Sequence, residues 1–162
     1  MSGNSRSSPV LVPHELLAGV HAVGRSLEVT NYIILLTTYI VLLHGVSGHR
    51  TLVVGTPVRG RNSEDVENLM GDFTNLLPLW SSIDPGSSFA DVLRHVREIV
   101  LDCFANPDVR MEDLTRELAL SSDGGGKLLY QALFSFQDIR RRVLAWGNLR
   151  HERVEAFQPG AT

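Results

Sequence analysis

The stretch YIILLTTYIVLLHGV, residues 32 to 46, constrains the fold of this chain more than any other part of the sequence. It is apolar around the whole circumference of a helix, and such a helix belongs inside a domain. Thr37 and Thr38 interrupt it and His44 comes near its end, so it falls short of the ~20 apolar residues of a membrane span. Thr30 supplies an N-cap hydroxyl for a helix from about Asn31 to Val46, and Gly48 supplies a stop. The remaining elements must therefore form layers that cover this helix. With 162 residues, 43% of them hydrophobic, the chain has enough material for one domain with a real core.

Those layers are legible as periodicities. Leu16, Leu17, Val20 and Val23 recur at helical spacing, with Pro13 in the first turn and Glu15 at the positive end of the dipole. Leu52 to Val54 read as a short strand buried on both faces, ended by Gly55 and Pro57, with a further turn at Gly60. SEDVENLM reads as a short acidic helix capped by Ser63, and Phe73 to Leu79 as a strand that carries Asn75 among apolar residues. Ser87 or Ser88 caps an amphipathic helix. Its apolar face holds Phe89, Val92, Leu93, Val96, Val100, Cys103 and Phe104, and Asp91, Arg94, Arg97 and Glu98 lie largely opposite.

Arg110 to Leu120 form another helix, and SSDGGGK a loop. LYQALFSFQD alternates Tyr130, Ala132, Phe134 and Phe136 against Leu129, Gln131, Leu133 and Ser135, as a strand does. Leu149 to Phe157 read as one more strand. The element order implies an α/β (α+β) fold with helices packed on a mixed sheet. Residues 1–8, small and polar, are expected to be a flexible lead-in to a domain over 9–162.

Signs of self-contained chemistry are scarce. A net charge of −3 gives no basic field for nucleic acid. One cysteine, Cys103, rules out an internal disulfide and a cysteine-rich metal site, and its apolar neighbours suit a buried thiol. The six histidines are scattered, and no metal site is expected. DGGGK lacks the spacing and the following Ser or Thr of a phosphate loop, and there is no Gly-x-Ser-x-Gly elbow. With no signal segment and no clean membrane span, the expected location is the cytoplasm, with no membrane partner.

Four collinear segments resemble the second half of nonribosomal peptide synthetase condensation domains. YIVLLHGVSGHRTLVVGTPVRGR is similar to the family's AVLLHRLSGQDDVVVGTPVAGR, and LMGDFTNLLPLW to IGxFVNTLPLR. FANPDVRMEDL resembles YxHQDVPFExL, and LLYQALFSFQD resembles PLFQVLFALQN. The positions that carry the resemblance include Gly55, Thr56, Pro57, Gly60, Arg61, Gly71, Phe73, Asp108 and Glu112. Departures are specific. Leu76 stands where the family has Thr, Trp80 where it usually has Arg, and Arg110 and Met111 where it has Pro-Phe; of RDxSRxPL only Asp123 survives, and Gly126 replaces an Arg.

The resemblance implies a lobe of the chloramphenicol-acetyltransferase type, the C-terminal lobe of a two-lobed domain, shortened at its C-terminal end. It implies part of the machinery by which an amine on one carrier-bound substrate attacks the thioester of another. The family's His-His-x-x-x-Asp-Gly motif is missing here, so no catalytic residue is expected in this chain and it is expected to be inactive alone. Implied partners are the N-terminal lobe and peptidyl or aminoacyl carrier proteins. No cofactor is bound directly, the phosphopantetheine arm of the carriers bringing the substrates, and the isolated lobe is expected to form a homodimer.

Asn75, with Thr74 and Gln137, is implied as a polar lining of the inter-lobe tunnel. The other reading of Asn75 is an amide satisfied by backbone at the strand's edge. Two alternatives to a catalytic lobe remain: a non-catalytic, condensation-like module that recruits a partner protein, and a stand-alone relative that esterifies an alcohol.

Overall fold

A computed structural model describes residues 8–59, 69–118, 129–130 and 132–137. The apolar segment is helix α2, Asn31–Ser47, preceded by α1, His14–Ser26. The Thr30 hydroxyl accepts from the Ile33 N–H, and Gly48 closes the helix in the left-handed region at φ 71°. The two threonines are compatible with an apolar helix because each hydroxyl donates to a carbonyl four residues back. Thr37 Oγ1 lies 2.7 Å from the Ile33 O and Thr38 Oγ1 lies 2.9 Å from the Ile34 O.

Ile33, Ile34, Leu36 and Ile40 enter the core, but the helix is not enclosed on every side. Leu42 and Val46 are 59% and 80% exposed, so only one face of α2 packs among the described residues. That face meets β1, Thr51–Arg59, and α3, Phe89–Ala105. Ser88 rather than Ser87 caps α3, in a reciprocal box: its hydroxyl accepts from the Asp91 N–H, and the Asp91 carboxylate accepts from the Ser88 N–H. Val92, Leu93, Val96 and Val100 of α3 join α2 in the core.

The sheet has order β2-β1-β3, with β1 at Thr51–Arg59, β2 at Thr74–Ser82 and β3 at Ala132–Leu133. β1 and β2 are antiparallel over nine residues, from Thr51 opposite Ser82 to Arg59 opposite Thr74. Val54 and Thr56 of β1 and Leu77, Leu79 and Ser81 of β2 are buried on one side of the sheet. The alternation is that of a sheet with one face on the core.

β1 does not stop at Gly55 and Pro57, as the sequence suggests; both lie inside it. Gly55 turns its carbonyl to β3, accepting from the Phe134 N–H at 2.8 Å, so Pro57, two residues on, also faces away from β2. Its missing N–H therefore costs the β1–β2 ladder nothing. The same argument covers Pro78, which sits opposite Gly55 on β2. What Pro57 does end is the parallel pairing with β3. The next rung would need an N–H from residue 57, and the strand read over LYQALFSFQD is a regular strand only at Ala132–Leu133 among the described residues. Gly55 has its own reason to be glycine: a Cβ there would lie 2.6 Å from the Tyr130 ring, which covers this face of the sheet.

The helix expected at Arg110–Leu120 is α4, Met111–Glu117, with Arg110 at its N-cap. The turn at Gly60, the Ser63-capped helix, the glycine loop and the Leu149–Phe157 strand lie outside the described residues. No single helix among the described residues is long and apolar enough to cross a membrane.

Candidate functional site

The polar and aromatic groups that converge lie at the Arg59 end of β1. Tyr32, in the first turn of α2, places its hydroxyl 2.9 Å from Thr56 Oγ1. Thr56 Oγ1 in turn donates to the Phe134 carbonyl at 3.1 Å. With the threonine's one hydrogen used there, Tyr32 is the donor of the first bond. This hydroxyl relay occupies the place where Pro57 leaves Phe134 without a backbone donor. Burial pushes the Tyr32 hydroxyl pKa above its ordinary value, with the Thr56 bond opposing and a smaller upward push from Cys103.

Around the relay stand aromatic rings. Tyr32 lies 5.9 Å from Phe104, 5.8 Å from Phe134 and 6.3 Å from Phe136, centroid to centroid. Two of these contacts are tilted and the one to Phe136 is edge-on, at the ring separations aromatic pairs favour. Three of these rings, with Pro57, Pro107 and Arg59, line a cleft of about 330 Å³. Its described walls are aromatic and proline rings, Val58 and the Arg59 side chain.

Asn75 lies beside this cleft on β2. Its Nδ2 donates to the Pro107 carbonyl at 2.7 Å and to the Val109 carbonyl at 3.0 Å, and its Oδ1 accepts from the Leu76 N–H at 2.9 Å. Both amide hydrogens are thus spent on the segment between α3 and α4, and Pro107 of that segment is itself a wall of the cleft. Thr74 is exposed, its N–H bonded to Asp72 Oδ1 at 2.9 Å; that bond, with a side-chain bond from Thr74, holds the Asp72 carboxyl below the usual range.

The structure brings Thr56, Pro57, Thr74 and Asn75 to one end of the sheet. Gln137 is exposed beyond β3. Gly71 lies under the Phe73 ring, 3.1 Å from where a Cβ would sit. Asp108 is in the segment Asn75 holds, Glu112 is in the first turn of α4, and Gly60 and Arg61 lie outside the described residues. Tyr32, Phe104 and Arg59 carry no mark of a site in the sequence. No group of three metal-ligating side chains occurs among the described residues.

Comparison with known proteins gives a consistent result. The family model described as "Condensation domain" matches residues 4–158. Tyrocidine synthase 3 of Brevibacillus parabrevis is 36% identical over 143 residues, 88% of this chain, and a component of the linear gramicidin synthase of the same organism is 34% identical over 93% of it. The chain spans only 2% of the length of each of these relatives. Among solved structures, the first condensation domain of the CDA synthetase aligns with a TM-score of 0.66 at 28% identity, covering 76% of this chain and 27% of that one. A four-domain holo nonribosomal peptide synthetase bound to AMP and glycine aligns at 0.73 and 23% identity, covering 78% of this chain and 10% of that one, a likeness of fold alone.

Proposed function

The chain belongs to the condensation-domain family, and from that premise we propose that it is part of a domain that makes amide bonds between carrier-bound substrates in nonribosomal peptide synthesis. The observation that carries this reading is the match over residues 4–158, supported by identity above 30% to two peptide synthetases along nearly the whole chain. In this reading the chain is the C-terminal lobe. Its partners are the N-terminal lobe and carrier proteins, whose phosphopantetheine arms present the substrates, and its place of work is the cytoplasm.

The sequence holds no His-His pair and no His-His-x-x-x-Asp-Gly motif. General-base or positioning catalysis needs a group within hydrogen-bond reach of the attacking amine. The contribution proposed for this lobe is therefore a wall of the reaction chamber, with Asn75 fixing the Pro107–Val109 segment and Thr74 and Gln137 as further polar lining. The test is incubation of the chain with loaded donor and acceptor carrier proteins, alone and with a separately supplied N-terminal lobe bearing the histidine motif. Peptidyl thioester is followed by mass spectrometry. Product is expected only with both lobes; product from this chain alone above the uncatalysed rate overturns the assignment.

A further inference from the structure

We propose that the aromatic cleft at the end of β1 binds a small carboxylate with an aryl or branched-alkyl body, the anion at Arg59 and the body between the rings of Tyr32 and Phe104. The inference goes beyond amide-bond formation and stands apart from it, because binding requires neither carrier protein nor second lobe.

The chemistry of the lining selects this class. The walls are the rings of Tyr32, Phe104 and Phe136 and the pyrrolidines of Pro57 and Pro107, all surfaces that take an apolar body. Phe104 and Phe136 are 43% and 41% exposed, so their faces are open to an incoming group rather than spent on the core. The hydroxyl hydrogens beside the cleft are already engaged, and so is one lone pair of the Pro107 carbonyl. The Tyr32 hydrogen goes to Thr56, the Thr56 hydrogen to the Phe134 carbonyl, and the Pro107 carbonyl to Asn75. A ligand body rich in hydrogen-bond acceptors would lose its hydrogen bonds on entering, since neither hydroxyl has a hydrogen left to give.

One charged side chain remains. Arg59 is exposed at the rim and makes no ion pair among the described residues, and its planar fork matches a carboxylate. A volume of about 330 Å³ holds on the order of ten non-hydrogen atoms, enough for one ring, a short linker and a carboxylate.

The test uses 3-phenylpropanoate and its uncharged amide as probes, with ligand-observed saturation-transfer NMR on the 162-residue chain. The acid is expected to bind, with strongest transfer to its ring protons, and roughly two- to five-fold more tightly than the amide, as an exposed ion pair allows. Arg59→Gln should abolish the preference and leave ring transfer intact. Phe104→Leu, which keeps an apolar side chain, should weaken both probes several-fold, while Trp80→Phe, toward the other end of the sheet opposite Val53, should change neither. No transfer at millimolar probe, equal affinity for acid and amide, a preference that survives Arg59→Gln, or binding lost in Trp80→Phe but kept in Phe104→Leu would each overturn the proposal.

Discussion

Thr56 and Asn75 lie on the core side of the same two-stranded ladder, on neighbouring same-face pairs, yet they solve the same problem differently. Thr56 is 1% exposed and spends its hydroxyl on two half-buried partners, the Tyr32 hydroxyl and the Phe134 carbonyl. Asn75 is half-buried and reaches outward to two carbonyls of a surface segment. Water reaches the Thr56 side of the first arrangement less readily than the Val109 side of the second. Desolvated polar groups left unpaired cost far more than the net gain of a typical bond, so the buried relay should dominate stability and the outer tether should dominate local order.

The largest effect is expected from Thr56→Val, which preserves shape and removes the relay. It should destabilise the chain by about 2 kcal/mol, because the Tyr32 hydroxyl and the Phe134 carbonyl both lose their partner. Chemical denaturation measures this. Adding Tyr32→Phe removes one orphan, so the double variant should lose less than the two single losses added together; strict additivity would break the idea of a relay.

Asn75→Ala comes next, at about 1 kcal/mol, since water can reach the freed carbonyls. Its sharper signature is local: amide hydrogen exchange should accelerate at residues 108–110 and stay unchanged at Val54 and Leu79. A loss as large as that of Thr56→Val would erase the contrast between buried and outer polar groups.

Ser88→Ala tests an exposed hydrogen-bonded pair and should lower the melting temperature less than Asn75→Ala does, as expected for loss of an exposed N-cap. The smallest effect is a pH dependence. The Ser88 hydroxyl and N–H, with Arg94 adding, hold the Asp91 carboxyl below its ordinary value, and bonds from Arg110 do the same for Asp113. A carboxyl whose folded pKa is depressed stabilises the fold above its unfolded pKa and loses that contribution as pH falls through the folded value. Stability should therefore decline gently as pH drops below about 4, and Ser88→Ala should flatten the decline. Thermal melts between pH 6 and pH 3 follow both.

How much of the site is legible in the sequence depends on the range over which its bonds act. The Thr30 and Gly48 caps and the amphipathic face of α3 depend on residues within one or two turns, and local spacing exposes them. Asn75 stands out because an amide in an apolar strand demands a partner, but that partner lies 32 residues away at Pro107. Tyr32 does not stand out at all, since nothing near it in sequence needs its hydroxyl; Thr56 is 24 residues on. Pro57 reads locally as a strand terminator and is not one, because its effect depends on which neighbour its missing N–H faces.

Adjacent residues alone specify the element types, the helix ends, the buried stripe of α3 and the collinear motifs that mark the family, because periodicity, capping and motif spacing are short-range properties. Three-dimensional packing settles which face of α2 is covered, that β1 runs through Gly55 and Pro57, and that a cleft opens beside Arg59. Those outcomes rest on contacts such as Thr56 to Phe134, 78 residues apart. Each polar group there is satisfied only once strands, helices and loops meet, and no local pattern specifies which partner will arrive.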